Sequence, residues 1–187
     1  MDALELLKSD HDEVRGMFEE FRSAHEAEDT AAMGEICRRV FAELEVHTAI
    51  EEEVFYPAVR EAGGGELDEL TDESKEEHHV VDVLMEEITS LDPADDAFAA
   101  KMTVLMENVE HHAGEEEDEM FPEVRELLSE ERLRTLGEEL EEAKRRHRLS
   151  AASRDELYEK ASELGVEGRS AMNKEQLAEA VGEQDGG

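Results

Sequence analysis

Residues 47–57 read His47-Thr48-Ala49-Ile50-Glu51-Glu52-Glu53-Val54-Phe55-Tyr56-Pro57. Residues 112–122 read His112-Ala113-Gly114-Glu115-Glu116-Glu117-Asp118-Glu119-Met120-Phe121-Pro122. Each has a histidine, a glutamate four positions on, and a proline ten positions after the histidine. A spacing of four puts both side chains on one face of a helix about one turn apart. In both stretches that face is the apolar one. It continues backwards through Met33, Cys37, Val40 and Leu44 before His47, and through Met102, Leu105 and Val109 before His112. Imidazole or carboxylate in an apolar stripe is costly without a partner, so these residues require a common explanation.

Two more histidines occupy equivalent stripes. His11 precedes Val14 and Phe18, His78 precedes Val81 and Met85, and the two segments are offset by 67 residues. The chain therefore reads as two helical hairpins, each giving two histidines and one glutamate. Pseudo-twofold packing makes His11, His47, Glu51, His78, His112 and Glu116 converge. Imidazole with carboxylate suits iron, manganese or zinc, and the absence of clustered cysteines argues against iron–sulfur and structural thiolate sites. Two carboxylates provide for two metal ions.

Around these stripes the periodicity predicts only helices. The first runs from Leu4 past Phe21. The second begins near Thr30, taken as its N-cap, and ends before Gly63-Gly64-Gly65. The third spans Asp72 to Leu91 and stops at Asp92-Pro93; the fourth runs from Asp96 to Leu128; Ser129 caps a fifth that carries Leu133, Leu136, Leu140 and Ala143. The expected architecture is all-α: an up-down-up-down four-helix bundle with a fifth helix and a small C-terminal helical module. Its expected boundaries are 1–145 for the bundle with the fifth helix, 146–152 for a linker, 153–183 for the module and 184–187 for a disordered tail. Pro57 and Pro122 are expected to bend or end their helices just past the ligands, and Gly114 to mark a close approach or a local bulge.

The ordered pattern His, His-x-x-x-Glu, His, His-x-x-x-Glu, followed by Phe55-Tyr56-Pro57 and Met120-Phe121-Pro122, resembles the hemerythrin-like (HHE cation-binding) family over residues 1–145. That resemblance implies two iron ions in an oxo- or hydroxo-bridged non-haem centre. It also implies a small gaseous or peroxide ligand: oxygen, peroxide or nitric oxide, in sensing, storage or detoxification. Oxygen-carrying members use a second histidine one turn from the first on the third helix. Here the neighbours of His78 at that spacing are Ser74 and Asp82, so reversible oxygen carriage is not implied and Asp82 becomes a candidate extra ligand. No dedicated catalytic constellation accompanies the centre. His79, His111 and His25 fall outside the converging set, and Tyr56 reads either as a hydrogen-bonding group near the centre or, the favoured reading, as a packing aromatic.

Charge narrows the partners. With 54 Asp and Glu against 19 Lys and Arg, the formal net charge is -35, which repels phosphate backbones and anionic lipid and attracts cations. The single Cys37, the lack of a signal segment and the lack of an apolar run of membrane-spanning length lead to the expectation of a cytoplasmic protein that binds no membrane. The segment from Ser153 to Val181 resembles Rho N-terminal-like and SAP-type helix-extended-helix modules, which touch nucleic acid. Its own net negative charge favours a protein contact, so the alternative function is an iron-responsive adaptor whose tail binds a protein partner or DNA.

Overall fold

The computed structural model describes residues 1–63 and 65–185. Asp2 opens the first helix through a reciprocal capping box: its carboxylate accepts from the Glu5 backbone N–H, and the Glu5 carboxylate accepts from the backbone N–H of Asp2. From there α1 runs Ala3–Glu26 and α2 Thr30–Ile50. The cap of α2 is Asp29 rather than Thr30, accepting from the Ala32 N–H at 3.0 Å; aspartate, the stronger acceptor, takes the cap and threonine becomes the first helical residue.

Past α2 the chain does not break at its proline. Glu51–Phe55 forms a π-helical turn that leads directly into α3, Tyr56–Ala62. The second hairpin repeats this: α4 runs Glu66–Thr89, α5 Asp96–Glu115, a π turn occupies Glu116–Met120, and α6 spans Phe121–Leu127. A proline ring clashes with the carbonyl one α-turn earlier and offers no N–H. Widening the turn before Pro57 and Pro122 relieves that conflict, with the Tyr56 and Phe121 N–H groups reaching back five residues to the Glu51 and Glu116 carbonyls. The irregularity therefore starts at each glutamate rather than at Gly114. The third helix begins at Glu66, a turn and a half before the expected Asp72, with Gly65 at φ +63° at its cap.

The chain divides into two compact units, 1–140 and 141–187. In the first, α1 packs on α2, α3 on α4, α4 on α5, and α5 back on α1, the ring of an up-down-up-down bundle. One apolar layer centres on Phe18, Phe21, Val40, Ile88, Met102 and Leu105. Another contains Leu7, Phe55, Val59, Met120 and Leu133, all buried, with Phe55 and Phe121 edge to face at 5.8 Å.

The fifth helix, α7, runs Glu130–Ala151, so the linker expected at 146–152 is helical as far as Ala151. Leu133, Leu136 and Leu140 are buried in the first unit. Gly137 is required there: a Cβ would stand 2.7 Å from the Met1 carbonyl oxygen and 3.1 Å from the Ala3 nitrogen. Gly137→Ala is expected to cost about 1–3 kcal/mol by overpacking backbone against backbone. Gly114→Ala, where a Cβ meets nothing within 4 Å, is expected to gain up to about 1 kcal/mol of helix propensity. Thermal melts of the two variants, shifting in opposite directions, check both statements.

In the second unit Ser153 and Glu156 form a capping box at the start of α8, Arg154–Glu163. Gly165 and Gly168 take positive φ in the turn that leads through a 3₁₀ segment, Arg169–Ala171, to α9, Lys174–Asp185. Leu157, Ala161, Val166, Leu177 and Val181 make a separate small core. Of the tail expected at 184–187, Gln184 and Asp185 close α9, and Gly186 and Gly187 lie outside the described residues. No helix among the described residues is long and apolar enough to cross a membrane.

Candidate metal centre

Between the two apolar layers the six singled-out side chains meet, and all are buried. The Nε2 atoms of His11 and His47 lie 3.1 Å apart, as do those of His78 and His112. Glu51 stands between the pairs, with Oε1 3.1 Å from His47 Nε2 and Oε2 3.4 Å from His78 Nε2. Glu116 Oε2 lies 3.3 Å from His11 Nε2 and 3.8 Å from His112 Nε2. The donors form two adjoining groups, His11 with His47, Glu51 and Glu116, and Glu51 with His78 and His112.

What the sequence reading missed is the layer behind the imidazoles. Each histidine turns its Nδ1 to a carboxylate: His11 to Glu117 at 2.9 Å, His78 to Glu52 at 3.0 Å, His112 to Glu77 at 2.9 Å and His47 to Asp10 at 3.7 Å. The arrangement follows the internal repeat. Asp10 and Glu77 immediately precede a histidine of the set, while Glu52 and Glu117 immediately follow a glutamate of it. At His11, His78 and His112 the hydrogen-bonded carboxylate holds the proton on Nδ1, leaves Nε2 free to donate its lone pair, and fixes the ring, while Asp10 stands beyond hydrogen-bond distance of His47 Nδ1.

Tyr56 belongs to the centre, not merely to the packing. Five residues beyond Glu51, an α-helical register would turn it about 140° away; the π turn brings both inward. Its hydroxyl donates to Glu116 Oε1 at 2.9 Å and lies 3.3 Å from His78 Nε2. Burial, with Glu116 and Glu51 nearby, raises the phenol well above its ordinary value and keeps the proton in place. In Tyr56→Phe, Glu116 Oε1 loses its donor, and the metal-free protein is expected to lose about 1–3 kcal/mol in urea melts. An unchanged midpoint would show that this bond contributes nothing. Asp82 is exposed on α4 and joins neither group, and His25 and His79 are likewise exposed.

The donor set fits metal ions. Glu51 Oε1 and Oε2 and Glu116 Oε2 are buried without a hydrogen bond, although imidazole nitrogens stand 3.1–3.4 Å away. Proximity without hydrogen-bond alignment is what donors converging on a shared ion show, since bonds of roughly 2.1 Å place neighbouring donors roughly 3.0–3.4 Å apart. Without metal, the charges must balance one another. Burial works against the charged form of His47, but Glu51 and Asp10 outweigh it and raise the imidazole to about 10. Burial likewise opposes ionisation of Glu51, yet His47 and His78 hold it well below the usual carboxylate range. Glu117, despite burial, is held down at about 2 by hydrogen bonds from Lys8, Arg15 and His11.

Residues 2–124 match the hemerythrin HHE cation binding domain. The chain belongs to this family. It is a cation-binding HHE protein with buried His/Glu groups able to hold metal. The HHE chain is 30% identical over 145 residues to a Nostoc sp. protein named a DNA nickase, a match covering 77% of this chain and 39% of that protein. It is 27% identical over 136 residues to an uncharacterized hemerythrin-like protein of Schizosaccharomyces pombe, covering 73% and 66% respectively. The HHE chain thus spans well under half of the first relative and about two thirds of the second. The crystal structure of a hemerythrin HHE cation-binding domain-containing protein from Mycobacterium kansasii shares the fold, with a TM-score of 0.68, 23% identity and coverage of 96% of this chain and 99% of that one.

Proposed function

We propose that this HHE protein holds two iron ions, one in each donor group, and binds oxygen, peroxide or nitric oxide there in sensing, storage or detoxification. The observation that carries this reading is the shared position of Glu51, one oxygen toward each group, under a small apolar cavity. Iron at such donors supplies redox chemistry and open positions for a small ligand.

The chain's own residues then have defined work. Glu51 and Glu116 would supply negative charge to the bound ions, and Glu117, Glu52 and Glu77 hold the rings of His11, His78 and His112 through Nδ1. Tyr56 holds Glu116 Oε1 in place by donating its hydroxyl hydrogen bond to it. Above the histidines, Val14, Phe18, Leu44, Val81 and Val109 wall a cavity of about 20 Å³, which takes one water-sized molecule and little more. Its size and apolar walls favour diatomic gases and peroxide over organic substrates. A cytoplasmic location accords with the single, buried, free Cys37.

The test is stopped-flow absorbance of the reduced, iron-loaded protein mixed separately with nitric oxide, oxygen and peroxide. The reading expects a saturable spectral change with at least one of the three. An iron-loaded centre silent to all three would overturn it and favour the adaptor reading. In the second unit, Arg145, Arg146 and Lys174 share a groove with Glu142, Glu175 and Glu179, a mixed-charge surface that fits a protein segment better than DNA.

A further inference from the structure

Outside the centre, the two hairpins differ in a way that the repeat makes visible. The offset that relates His47 to His112 relates Val46 to His111 and Ile50 to Glu115, and the offset that relates His11 to His78 relates Asp10 to Glu77. Val46, Ile50 and Asp10 are buried, so the first hairpin is sealed at this place. In the second hairpin the equivalent side chains reach solvent: His111 is 66% exposed, Glu115 34% and Glu77 23%.

These three side chains present donors to one another. His111 Nε2 lies 3.3 Å from Glu115 Oε1 and 3.9 Å from Glu77 Oε1, and the three donors form a compact group. His111 and Glu115 stand one turn apart on α5, while Glu77 comes from α4, so the group bridges two helices. Glu77 is held in place from the other side, its Oε2 2.9 Å from Nδ1 of the buried His112. Neither Glu77 nor Glu115 pairs with a lysine or arginine among the described residues, whereas Glu117, bound to His11, meets Lys8 at 2.7 Å and Arg15 at 2.8 Å. Gly114, three residues after His111, adds no side chain to this face and has open space around it.

We propose that His111, Glu115 and Glu77 form an outer site for a divalent cation of the zinc, ferrous or manganous class. One imidazole and two carboxylates are donors for that class. The outer ion takes Glu77 Oε1 while Oε2 remains on His112, so its binding is felt at the inner centre. The site stands without the two-iron reading; only its coupling through Glu77 and His112 to the inner ions rests on that reading.

The experiment is zinc titration of the metal-free full chain by equilibrium dialysis, comparing wild type with His111→Ala and with the double variant His111→Ala/Glu115→Gln. Both changes lie on the helix surface and leave the buried set intact. Wild type is expected to bind one weakly held zinc per chain more than either variant, with the tightly held ions unchanged in number. Equal totals in wild type and variants would overturn the outer site. The tight count, read in the same titration, tests the inner centre separately: its absence with the difference preserved would sink the two-metal reading alone.

Discussion

Glu51→Ala is expected to leave the chain helical and to cut retained metal from two ions per chain to roughly a tenth of that after desalting. The expectation is larger than for any single histidine because Glu51 presents an oxygen to both groups, 3.1 Å from His47 Nε2 and 3.4 Å from His78 Nε2. His47→Ala removes a donor from one group only and should spare part of the other ion. Glu51→Gln keeps the volume while removing the charge, and guards against a general loss of fold. Metal analysis beside far-ultraviolet circular dichroism reads all three. Two ions retained in both Glu51 variants would show that the carboxylate is not shared.

Metal removal is expected to have the second large effect, on stability and on its pH dependence. A ligand present at a thousandfold excess over its dissociation constant stabilises by about 4 kcal/mol, which for a chain of this size raises the melting temperature by roughly 10 °C. Without metal, His47 is raised to about 10 in the folded chain against about 6.5 when unfolded. The stability this contributes is full below pH 6.5 and is lost as pH rises toward 10. Metal requires the neutral imidazole. Uptake at pH 7 therefore releases protons, His47 being the first source, and the loaded protein should lose the alkaline slope. Melts with and without metal from pH 6 to 10, and the buffer dependence of the binding heat, check this. A melting temperature indifferent to metal, or binding without proton release, would contradict it.

The six converging residues were legible because spacing survives folding: a histidine and a glutamate four apart remain on one face whatever the helix packs against. The repeat made the pattern specific. Less legible were the orienting carboxylates. Asp10, Glu52, Glu77 and Glu117 each neighbour a converging residue in sequence, but acids fill 54 of 187 positions, so such adjacency carries little information until the structure shows which ones turn inward. Tyr56 stayed open between packing and a hydrogen bond at the centre for another reason. Its inward position depends on a π turn, and an α-helical register rotates it off the face. The prolines at 57 and 122 marked a disturbance, expected as a bend or an end, and the π turn that precedes each carries the chain on as helix. The early start of α4 at Glu66 has a similar origin, because tertiary packing of Leu67, 2% exposed, outweighs the weak local signal of an acidic, glycine-preceded segment.

The central claim is that two metal ions occupy adjoining groups joined by Glu51. X-ray absorption of the anaerobically iron-loaded, desalted protein, with iron counted per chain on the same sample, tests it most directly. The account predicts two irons per chain, nitrogen and oxygen neighbours without sulfur, and an iron–iron distance of roughly 3.5 Å. One iron per chain, or two with no iron neighbour within about 4 Å, would contradict it.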